Sequence, residues 1–276
     1  MAKSKPEARP KIGVIHYNFP GFDWIQFLDY CAKTGFEYIE VAIGDVWPQG
    51  VENPEAKAKE VRQQLDDRGL KAGCLSAGND FVLLDEAAIA AQVERMERIC
   101  CDLAPIVGTD TIRTEGGWKK DAVPPEKYEA AIAACLRRCV PFIEPAGIRL
   151  AVDNHGHVTN DADLQVRIFK AVGSKNVGSN LDTMNYRWAG HDLATIDRYY
   201  ELIAPYVFHT HMKDGTGSLA SYKGAALGDG EIHLQHAVAC LRKAGYAGVW
   251  CAEYEGPEAA GGVGYAKCCQ WLKANL

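Results

Sequence analysis

Carboxylates and imidazoles stand at the ends of several short apolar runs in the second half of the sequence. Each of four residues closes such a run, namely Asp153, Asp182, His211 and Glu253. Alone, each acidic residue could equally serve as a helix N-cap or a solvated loop charge. Together, three carboxylates on a small rim would repel one another unless a cation compensated them. We therefore predict that these four residues bind one divalent ion.

The donor types indicate which ion this site would hold. Three carboxylates and one imidazole suit a cation of intermediate hardness and leave coordination positions for substrate oxygens. We predict Mn²⁺ in the first place, with Mg²⁺, Co²⁺ or Zn²⁺ as alternatives. His209 alternates with His211, so both side chains point to the same face of a strand. His209 is thus a candidate for substrate binding or, equally, a histidine satisfied in the core.

Other polar residues at the ends of apolar runs are candidates for contact with a substrate. His16 ends the first run, and Arg113 lies near the end of the fourth. Arg113 could bind a substrate carboxylate, phosphate or hydroxyl, although arginine pairs with acidic residues at least as often. Lys213 begins a glycine-containing loop that could close over a ligand.

Short apolar or β-branched runs alternate with longer segments of helical periodicity, which is typical of parallel βα units. The predicted strands are Lys11–His16, Tyr38–Ile43, Leu70–Ser76, Thr111–Thr114, Ile148–Asn154, Val177–Asp182, Tyr206–His211 and Val249–Glu253. The predicted helices are Asp23–Lys33, Pro54–Arg68, Glu86–Leu103, Pro125–Glu144, Asp161–Ala171, Leu193–Ile203, Leu234–Lys243 and Gly264–Ala274. Glycines precede four of the strands where a helix C-cap favours positive φ, namely Gly35, Gly69, Gly147 and Gly245.

Eight βα units in 276 residues fit one closed barrel. The first predicted strand leads into HYNFPGF rather than into the glycine-rich turn of a dinucleotide-binding sheet. We therefore predict a single-domain α/β protein, a (β/α)8 TIM barrel over residues 11–276, after a flexible segment over residues 1–10. The active site of such a barrel lies at the C-terminal ends of its strands, where the candidate residues stand.

Composition narrows the range of partners. The formal net charge of -6 and the absence of clustered Lys and Arg argue against a nucleic-acid partner. No export signal and no apolar run of about 18 residues occurs, so we expect a cytoplasmic protein that does not enter membranes. The ten cysteines are then expected to be reduced, mostly as small buried hydrophobes rather than redox or zinc-site thiols. A homo-oligomer is compatible with this composition.

Five segments carry a family resemblance: DNHG at 153–156, LDTMN at 181–185, HTHMKD at 209–214, ALGDGEI at 226–232 and AGYAGVWCAEYE at 244–255. In this order they resemble the xylose-isomerase-like barrel superfamily of sugar phosphate isomerases and epimerases. The resemblance spans the whole chain and is most specific over residues 206–255. It implies metal binding by the four strand-end residues above, although the family usually has Glu at the position of Asp153. It also implies substrate contacts from His155 and from Asn185, where many members have His.

The resemblance implies a mechanism as well. In the family, two acidic ligands flank the substrate and move a proton at the carbon next to a metal-bound carbonyl. This chain would then be a metal-dependent isomerase or epimerase of a small sugar-like substrate: a ketose, an aldose or a keto-inositol. Glu253 would remove the proton, and Asp153 or His155 would return it. Asp is one methylene shorter than Glu, and a misplacement of about 1 Å can slow a reaction on the order of 100-fold, so Glu253 is the more credible base.

Three other functions stay open at this point. A lyase or dehydratase would share the proton abstraction and then expel a β-substituent from a keto-sugar or 3-keto-glycoside, with His155, His209 or Lys213 protonating the leaving group. A DNA-repair nuclease resembling the apurinic endonucleases would need many more metal-binding histidines, and the acidic net charge argues against it. A non-catalytic barrel could retain the pocket for metal or sugar binding alone.

Overall fold

A closed barrel of eight parallel strands forms the centre of the protein in the computed structural model, which describes residues 9–276. The strands in chain order are β1 (Lys11–Ile15), β2 (Tyr38–Ala42), β3 (Lys71–Ser76), β4 (Thr111–Thr114), β5 (Arg149–Asp153), β6 (Val177–Asp182), β7 (Val207–Met212), β8 (Asp214–Thr216), β9 (Lys223–Ala225) and β10 (Val249–Ala252). Around the barrel they run β1, β10, β7, β6, β5, β4, β3, β2, and β1 pairs with β2 to close it. The predicted (β/α)8 architecture in one domain is confirmed. Residues 1–8 of the predicted flexible segment lie outside the described residues.

Helices surround the barrel. They are α1 (Trp24–Thr34), α2 (Ile43–Val46), α3 (Pro54–Asp66), α4 (Glu86–Glu97), α5 (Ala104–Val107), α6 (Tyr128–Ala146), α7 (Ala162–Val172), α8 (Asn185–Trp188), α9 (Leu193–Ile203), α10 (Leu234–Lys243) and α11 (Val263–Asn275). A π-helical stretch, Arg98–Leu103, joins α4 to α5, where the sequence predicts one continuous helix. The short helices α2 and α8 were not predicted, because four residues are too few to show a 3.6-residue period.

Local sequence signals fix where the helices start and stop. Asp23 caps α1 by accepting the N–H of Gln26, whose side chain in turn accepts the N–H of Asp23. Asp161 and Asp192 cap α7 and α9 in the simpler one-way manner. The four glycines predicted as C-terminal caps all have positive φ, namely Gly35, Gly69, Gly147 and Gly245. The helix ends could therefore be located from the sequence to within a few residues.

The apolar core lies between the barrel and its ring of helices. Every residue of β6 and β10 is buried, as expected for parallel strands that are covered on both faces. The matching helices contribute one apolar face each; in α7 this face includes Val166 and Phe169. Eight of the ten cysteines are buried, in agreement with the prediction that most of them serve as small buried hydrophobes. No helix among residues 9–276 is both long and apolar enough to cross a membrane.

A small antiparallel hairpin, formed by β8 and β9, follows the end of β7. The carboxylate of Asp214 holds it in place, because its oxygens accept four backbone N–H groups, those of Gly215, Gly228, Gly230 and Ile232, at 2.8–3.2 Å. Gly230 is required here, since a Cβ at that position would lie 2.0 Å from Asp214 Oδ1. The loop that the sequence places after Lys213 is thus a built element on the C-terminal side of the barrel.

Candidate metal centre

Three of the four predicted metal ligands meet at the C-terminal end of the barrel. Asp182 is the last residue of β6, His211 lies in β7, and Glu253 directly follows β10. Each offers a ligand atom within 4.8 Å of the others, and all three are buried. The strand register explains the meeting, because Asp182 and His211 are cross-strand partners and β10 lies on the other side of β7. We call Asp182, His211 and Glu253 the metal triad.

Asp182 has one oxygen committed to the backbone and one turned into the site. Its Oδ1 accepts the N–H groups of Met184 at 2.7 Å and Asn185 at 2.8 Å, which orders the start of α8. Its Oδ2 is buried and accepts no hydrogen bond. Burial raises the pKa of Asp182 to about 6. Asp182 therefore orders the start of α8 through one oxygen and turns the other toward Lys213 and the rest of the triad.

Lys213 carries the positive charge nearest to the triad. Its Nζ lies 3.0 Å from Asp182 Oδ2 and 2.9 Å from Glu253 Oε1, and Glu255 is 3.5 Å away. Burial disfavours the charged form of this ammonium, but the adjacent carboxylates outweigh burial and raise the pKa of Lys213 well above its ordinary value. Lys213 therefore stays cationic and partly compensates the acidic residues.

His211 and Glu253 face each other across the centre of the triad. His211 Nδ1 lies 2.8 Å from Glu253 Oε2 in an ion-pair contact, but the two atoms do not form a hydrogen bond. Burial opposes protonation of His211, but Glu40 and Glu253 raise its pKa well above its ordinary value. Burial likewise opposes ionisation of Glu253, but Lys213 and His211 outweigh it and lower the pKa of Glu253.

The residues present fit a divalent cation. Two carboxylates and one imidazole form a donor set that suits Mn²⁺, Mg²⁺, Co²⁺ or Zn²⁺. Two buried atoms of the set, Asp182 Oδ2 and His211 Nδ1, lack a hydrogen-bond partner. Both atoms are in ion-pair contact, with Lys213 and with Glu253, but neither forms a hydrogen bond. Buried polar atoms normally form hydrogen bonds, so two such atoms within a group of close ligand atoms support binding of a cation there.

Asp153, the fourth predicted ligand, lies outside this group. It is fully buried, and its Oδ2 accepts two hydrogen bonds from the guanidinium of Arg113, at 2.8 and 2.6 Å. Its Oδ1 accepts a third hydrogen bond from Asn180 at 2.8 Å. Burial opposes ionisation here as well, but Arg113 outweighs it and lowers the pKa of Asp153. Asp153 is not part of the group whose ligand atoms lie within 4.8 Å of one another, so the structure brings together three of the four predicted ligands, and Asp153 belongs to a neighbouring charge network.

Arg113 is the centre of that network. Besides Asp153 it binds Glu115, at 2.9 Å, and Glu115 lies 3.3 Å from Nδ1 of His155. Burial disfavours protonation of His155, but Glu115 and Asp153 raise its pKa above the ordinary value. The imidazole of His155 is partly exposed and packs edge-on against the ring of Trp118. We call Arg113, Glu115, Asp153 and His155 the arginine cluster.

The other predicted substrate-binding residues lie in different surroundings. His16 is half-buried, with Nδ1 3.0 Å from Asp45 and its ring against Phe27. Asn185 is buried at the start of α8, directly after the Asp182 turn. His209 is only 1% exposed and points into the barrel, where its Nε2 lies 2.8 Å from Glu40.

Two residues of this region were not predicted. Glu40, in the middle of β2, is buried beneath the triad and contacts His209 and His211. Its only sequence signal is a carboxylate in the otherwise apolar run YIEVAI, which implies a partner for a buried charge. Glu115 directly follows β4 and could have been found by the same search of strand ends that selected Asp153.

Comparison with known sequences identifies the family to which this barrel belongs. The sequence model of a family described as xylose isomerase-like TIM barrel matches residues 28–275. Inosose isomerase of Halalkalibacterium halodurans is 23% identical over 245 residues, which make up 85% of this chain and 83% of that protein. The match to the family model therefore covers nearly all of the described barrel.

Solved structures share the architecture. The IolI protein, crystallised with a bound zinc atom, superimposes with a TM-score of 0.77 at 18% identity, and the match covers 96% of each chain. The 3-keto-D-glucoside 4-epimerase of E. coli superimposes with a TM-score of 0.76 at 16% identity over 96% of this chain and 100% of the epimerase. At these identities the likeness establishes the fold.

Proposed function

The chain belongs to the xylose isomerase-like TIM barrel family, and from that premise we propose that residues 11–276 act as an isomerase or epimerase of small sugar-like ketones. The proposed reaction moves a proton at a carbon beside a carbonyl group. The observation that carries the proposal is the buried metal triad, in which two carboxylates and an imidazole converge at the C-terminal end of the barrel. Keto-inositols are the first substrates to test, because a relative is an inosose isomerase.

We propose that the metal triad holds the divalent cation. Its orphaned oxygen and nitrogen atoms support this assignment. When bound, such a cation supplies a Lewis acid for the carbonyl oxygen of a substrate. Mn²⁺ stays our first choice, with Mg²⁺, Co²⁺ and Zn²⁺ as alternatives. Asp153, which the sequence analysis includes among the metal ligands, does not bind the cation in our proposal, because it lies outside the triad and its oxygens accept hydrogen bonds from Arg113 and Asn180.

Glu253 is the proposed base. Lys213 and His211 hold its two oxygens and keep the carboxylate ionised despite burial. An ionised carboxylate can accept a proton from the carbon next to a carbonyl, because that carbon is acidified by the adjacent group. The short contacts on either side fix the orientation of this carboxylate, which general-base catalysis requires.

His155 is the proposed second proton carrier. It faces Glu115 in the arginine cluster, and its imidazole is partly exposed, unlike the enclosed carboxylate of Asp153. Glu115 and Asp153 favour the protonated imidazole, so His155 can donate a proton to the substrate in this proposal. Asp153 then acts by holding Arg113 rather than by moving a proton itself.

Elimination is the second candidate reaction. The ammonium of Lys213 lies 2.9 Å from the proposed base, so a proton donor stands beside the group that removes the first proton. Such a pair could abstract a proton and protonate a departing hydroxyl or glycosidic oxygen. Release of water or of an aglycone would identify this lyase reaction.

The test is solvent exchange on defined substrates. The protein with Mn²⁺ is incubated in D₂O with unphosphorylated keto-inositols, ketoses and 3-keto-glycosides, and the products are followed by NMR. We expect deuterium to enter the carbon beside the carbonyl and a rearranged isomer or epimer to accumulate, and a chelator should stop both. A complete absence of exchange on all three compound classes would contradict the proposal.

Two conservative variants distinguish the role of His155 from that of Asp153. We expect His155→Gln to retain deuterium exchange at the first carbon while product formation falls by about 100-fold or more, because only the second proton transfer is lost. Asp153→Asn keeps an oxygen that can accept from Arg113 and should reduce product formation much less. Equal losses of exchange and product in His155→Gln would mean that His155 has another role.

A further inference from the structure

A fully buried carboxylate lies beneath the metal triad, on the opposite side of the barrel interior from β7. Glu40 Oε2 is 2.7 Å from Nε2 of His211 and 2.8 Å from Nε2 of His209. All three side chains are 1% exposed or less. One carboxylate oxygen therefore serves two imidazoles from the same strand, one of which belongs to the triad.

These contacts define which ring nitrogen carries a proton. An ionised carboxylate has only acceptor oxygens, so each imidazole that contacts Glu40 must present Nε2–H to it. For His211 this leaves Nδ1 as the nitrogen on the triad side, 2.8 Å from Glu253. A metal-ligating imidazole needs one nitrogen with a free lone pair, and the hydrogen bond at the other nitrogen selects which one that is.

Arg113, in addition to the two histidines, stabilises the ionised form of Glu40. Nη1 of Arg113 lies 3.6 Å from Glu40 Oε1, so the arginine cluster contributes positive charge to the barrel interior. The two N–H donors and this guanidinium together compensate a charge that would otherwise be costly to bury. Glu40 thus connects the arginine cluster to the triad through His211.

We propose that Glu40 is the positioning residue for metal binding: by accepting Nε2–H of His211, it orients that imidazole and presents Nδ1 to the cation. This inference rests on the proposed function only for the identity of the triad as the cation site. His209 shares the same oxygen and forms, with Glu40, His211 and Cys251, a second group of close potential ligand atoms, but it lies outside the triad. In this proposal it supports Glu40 without contacting the ion.

Two substitutions of Glu40 isolate the hydrogen bond from the charge. Glu40→Met and Glu40→Gln both remove the negative charge, but only the amide oxygen of Gln can still accept from both imidazoles. Binding of Mn²⁺ is measured by calorimetry on the full chain, and stability is measured by urea unfolding in the presence of a chelator. We expect Glu40→Met to weaken Mn²⁺ binding by about 10- to 100-fold. Glu40→Gln should bind within about 5-fold of the unsubstituted protein.

His209→Ala is the matched control. It removes the other hydrogen bond to the same oxygen and perturbs the same buried region, but it leaves the contact between Glu40 and His211. We expect its stability to fall while its Mn²⁺ affinity stays within about 3-fold. Equal weakening by His209→Ala and Glu40→Met would overturn the proposal, as would equal weakening by the two Glu40 variants or a stoichiometry of two ions per chain.

A spectroscopic measurement covers the case in which Glu40→Met fails to fold. In ¹⁵N-edited NMR of the metal-free protein, the imidazole of His211 should show a slowly exchanging N–H at Nε2, and Glu40→Gln should preserve it. An unprotonated Nε2 in the unsubstituted protein would overturn the role of Glu40. Failure of the unsubstituted protein to bind Mn²⁺ would instead contradict the proposed cation site, and the NMR result would still report on Glu40 separately.

Discussion

The metal triad and the arginine cluster are neighbouring groups of buried charges that are neutralised in different ways. In the arginine cluster, Arg113 contacts Asp153 and Glu115 directly, both oxygens of Asp153 are hydrogen-bonded, and one atom, Glu115 Oε2, makes no hydrogen bond but lies 3.3 Å from His155. In the triad, Asp182 and Glu253 share a single ammonium, while Asp182 Oδ2 and His211 Nδ1 lack hydrogen bonds.

The difference shows where an added cation would matter. Two carboxylates that contact an arginine directly gain little from an added ion, whereas two carboxylates and an imidazole that share one ammonium gain more, because buried charges and polar atoms without full compensation are costly. The same polar residue types at adjacent strand ends can thus form a structural network on one side and a ligand set on the other. The following predictions test this contrast.

The largest expected effect comes from Glu253→Gln. This change removes the proposed base while preserving shape, so we expect deuterium exchange and product formation to fall by about 1000-fold or more. Rates are measured on the responsive keto-compound at saturating Mn²⁺. Glu255→Gln is the matched control, because Glu255 also lies near Lys213 but is more exposed, and it should change the rate by less than about 10-fold. Comparable losses of rate in both variants would contradict the assignment of Glu253 as the base.

Removing the cationic residue from each group should have different consequences for stability. Arg113→Met leaves buried carboxylates without their cation, so the free energy of unfolding should fall by about 3–5 kcal/mol with or without Mn²⁺. Lys213→Met should also destabilise the metal-free protein, but Mn²⁺ should restore most of that loss, since the ion compensates the same carboxylates. Urea unfolding with chelator and with Mn²⁺ measures both. Full rescue of Arg113→Met by Mn²⁺ would show that the two groups are not distinct.

Neutralising Asp182 in the triad should weaken Mn²⁺ binding much more than neutralising Asp153 in the arginine cluster. Asp182→Asn removes the negative charge of a proposed ligand and should weaken Mn²⁺ binding by more than about 100-fold. This is a larger loss than is usual when a residue that only hydrogen-bonds to a metal ligand is replaced. Asp153→Asn should stay within about 5-fold, because Asp153 faces Arg113 and Asn180. Calorimetric titration of both variants is the measurement. The opposite ranking would restore Asp153 as a ligand.

The smallest expected effect is in the pH dependence of stability of the metal-free protein. Burial raises the pKa of Asp182 from 3.8 to about 6, so the folded state favours its protonated form, and stability should fall as the pH rises between these values. The decrease amounts to about 2–3 kcal/mol at about 1.36 kcal/mol per pKa unit. Asp153 has a lowered pKa, so its contribution is lost in the other direction, as the pH falls below its ordinary value. Parallel urea-unfolding curves for Asp182→Asn and the unsubstituted protein across this range would contradict the prediction.

The fold could be predicted from the sequence because the alternation of strands and helices is strong and the caps are local signals. The eight barrel strands lie within one or two residues of the predicted bounds. Asp182, His211 and Glu253 could be selected because strand ends of a parallel barrel meet at one rim. The ion pair between Asp153 and Arg113 was not predictable, because the sequence does not show which side chains lie within hydrogen-bond distance of the carboxylate. Glu40 was missed because it lies inside a strand, where only a three-dimensional partner distinguishes it from a packing residue.

The anchoring of the β8–β9 hairpin by Asp214 has a consequence for how a ligand is received. Four backbone N–H groups converge on one carboxylate, so this segment is already ordered before anything enters the mouth of the barrel. A segment that is already ordered loses little conformational entropy when a ligand binds beside it, so the affinity for the proposed sugar-like substrate would depend on contacts and desolvation rather than on the ordering of this hairpin.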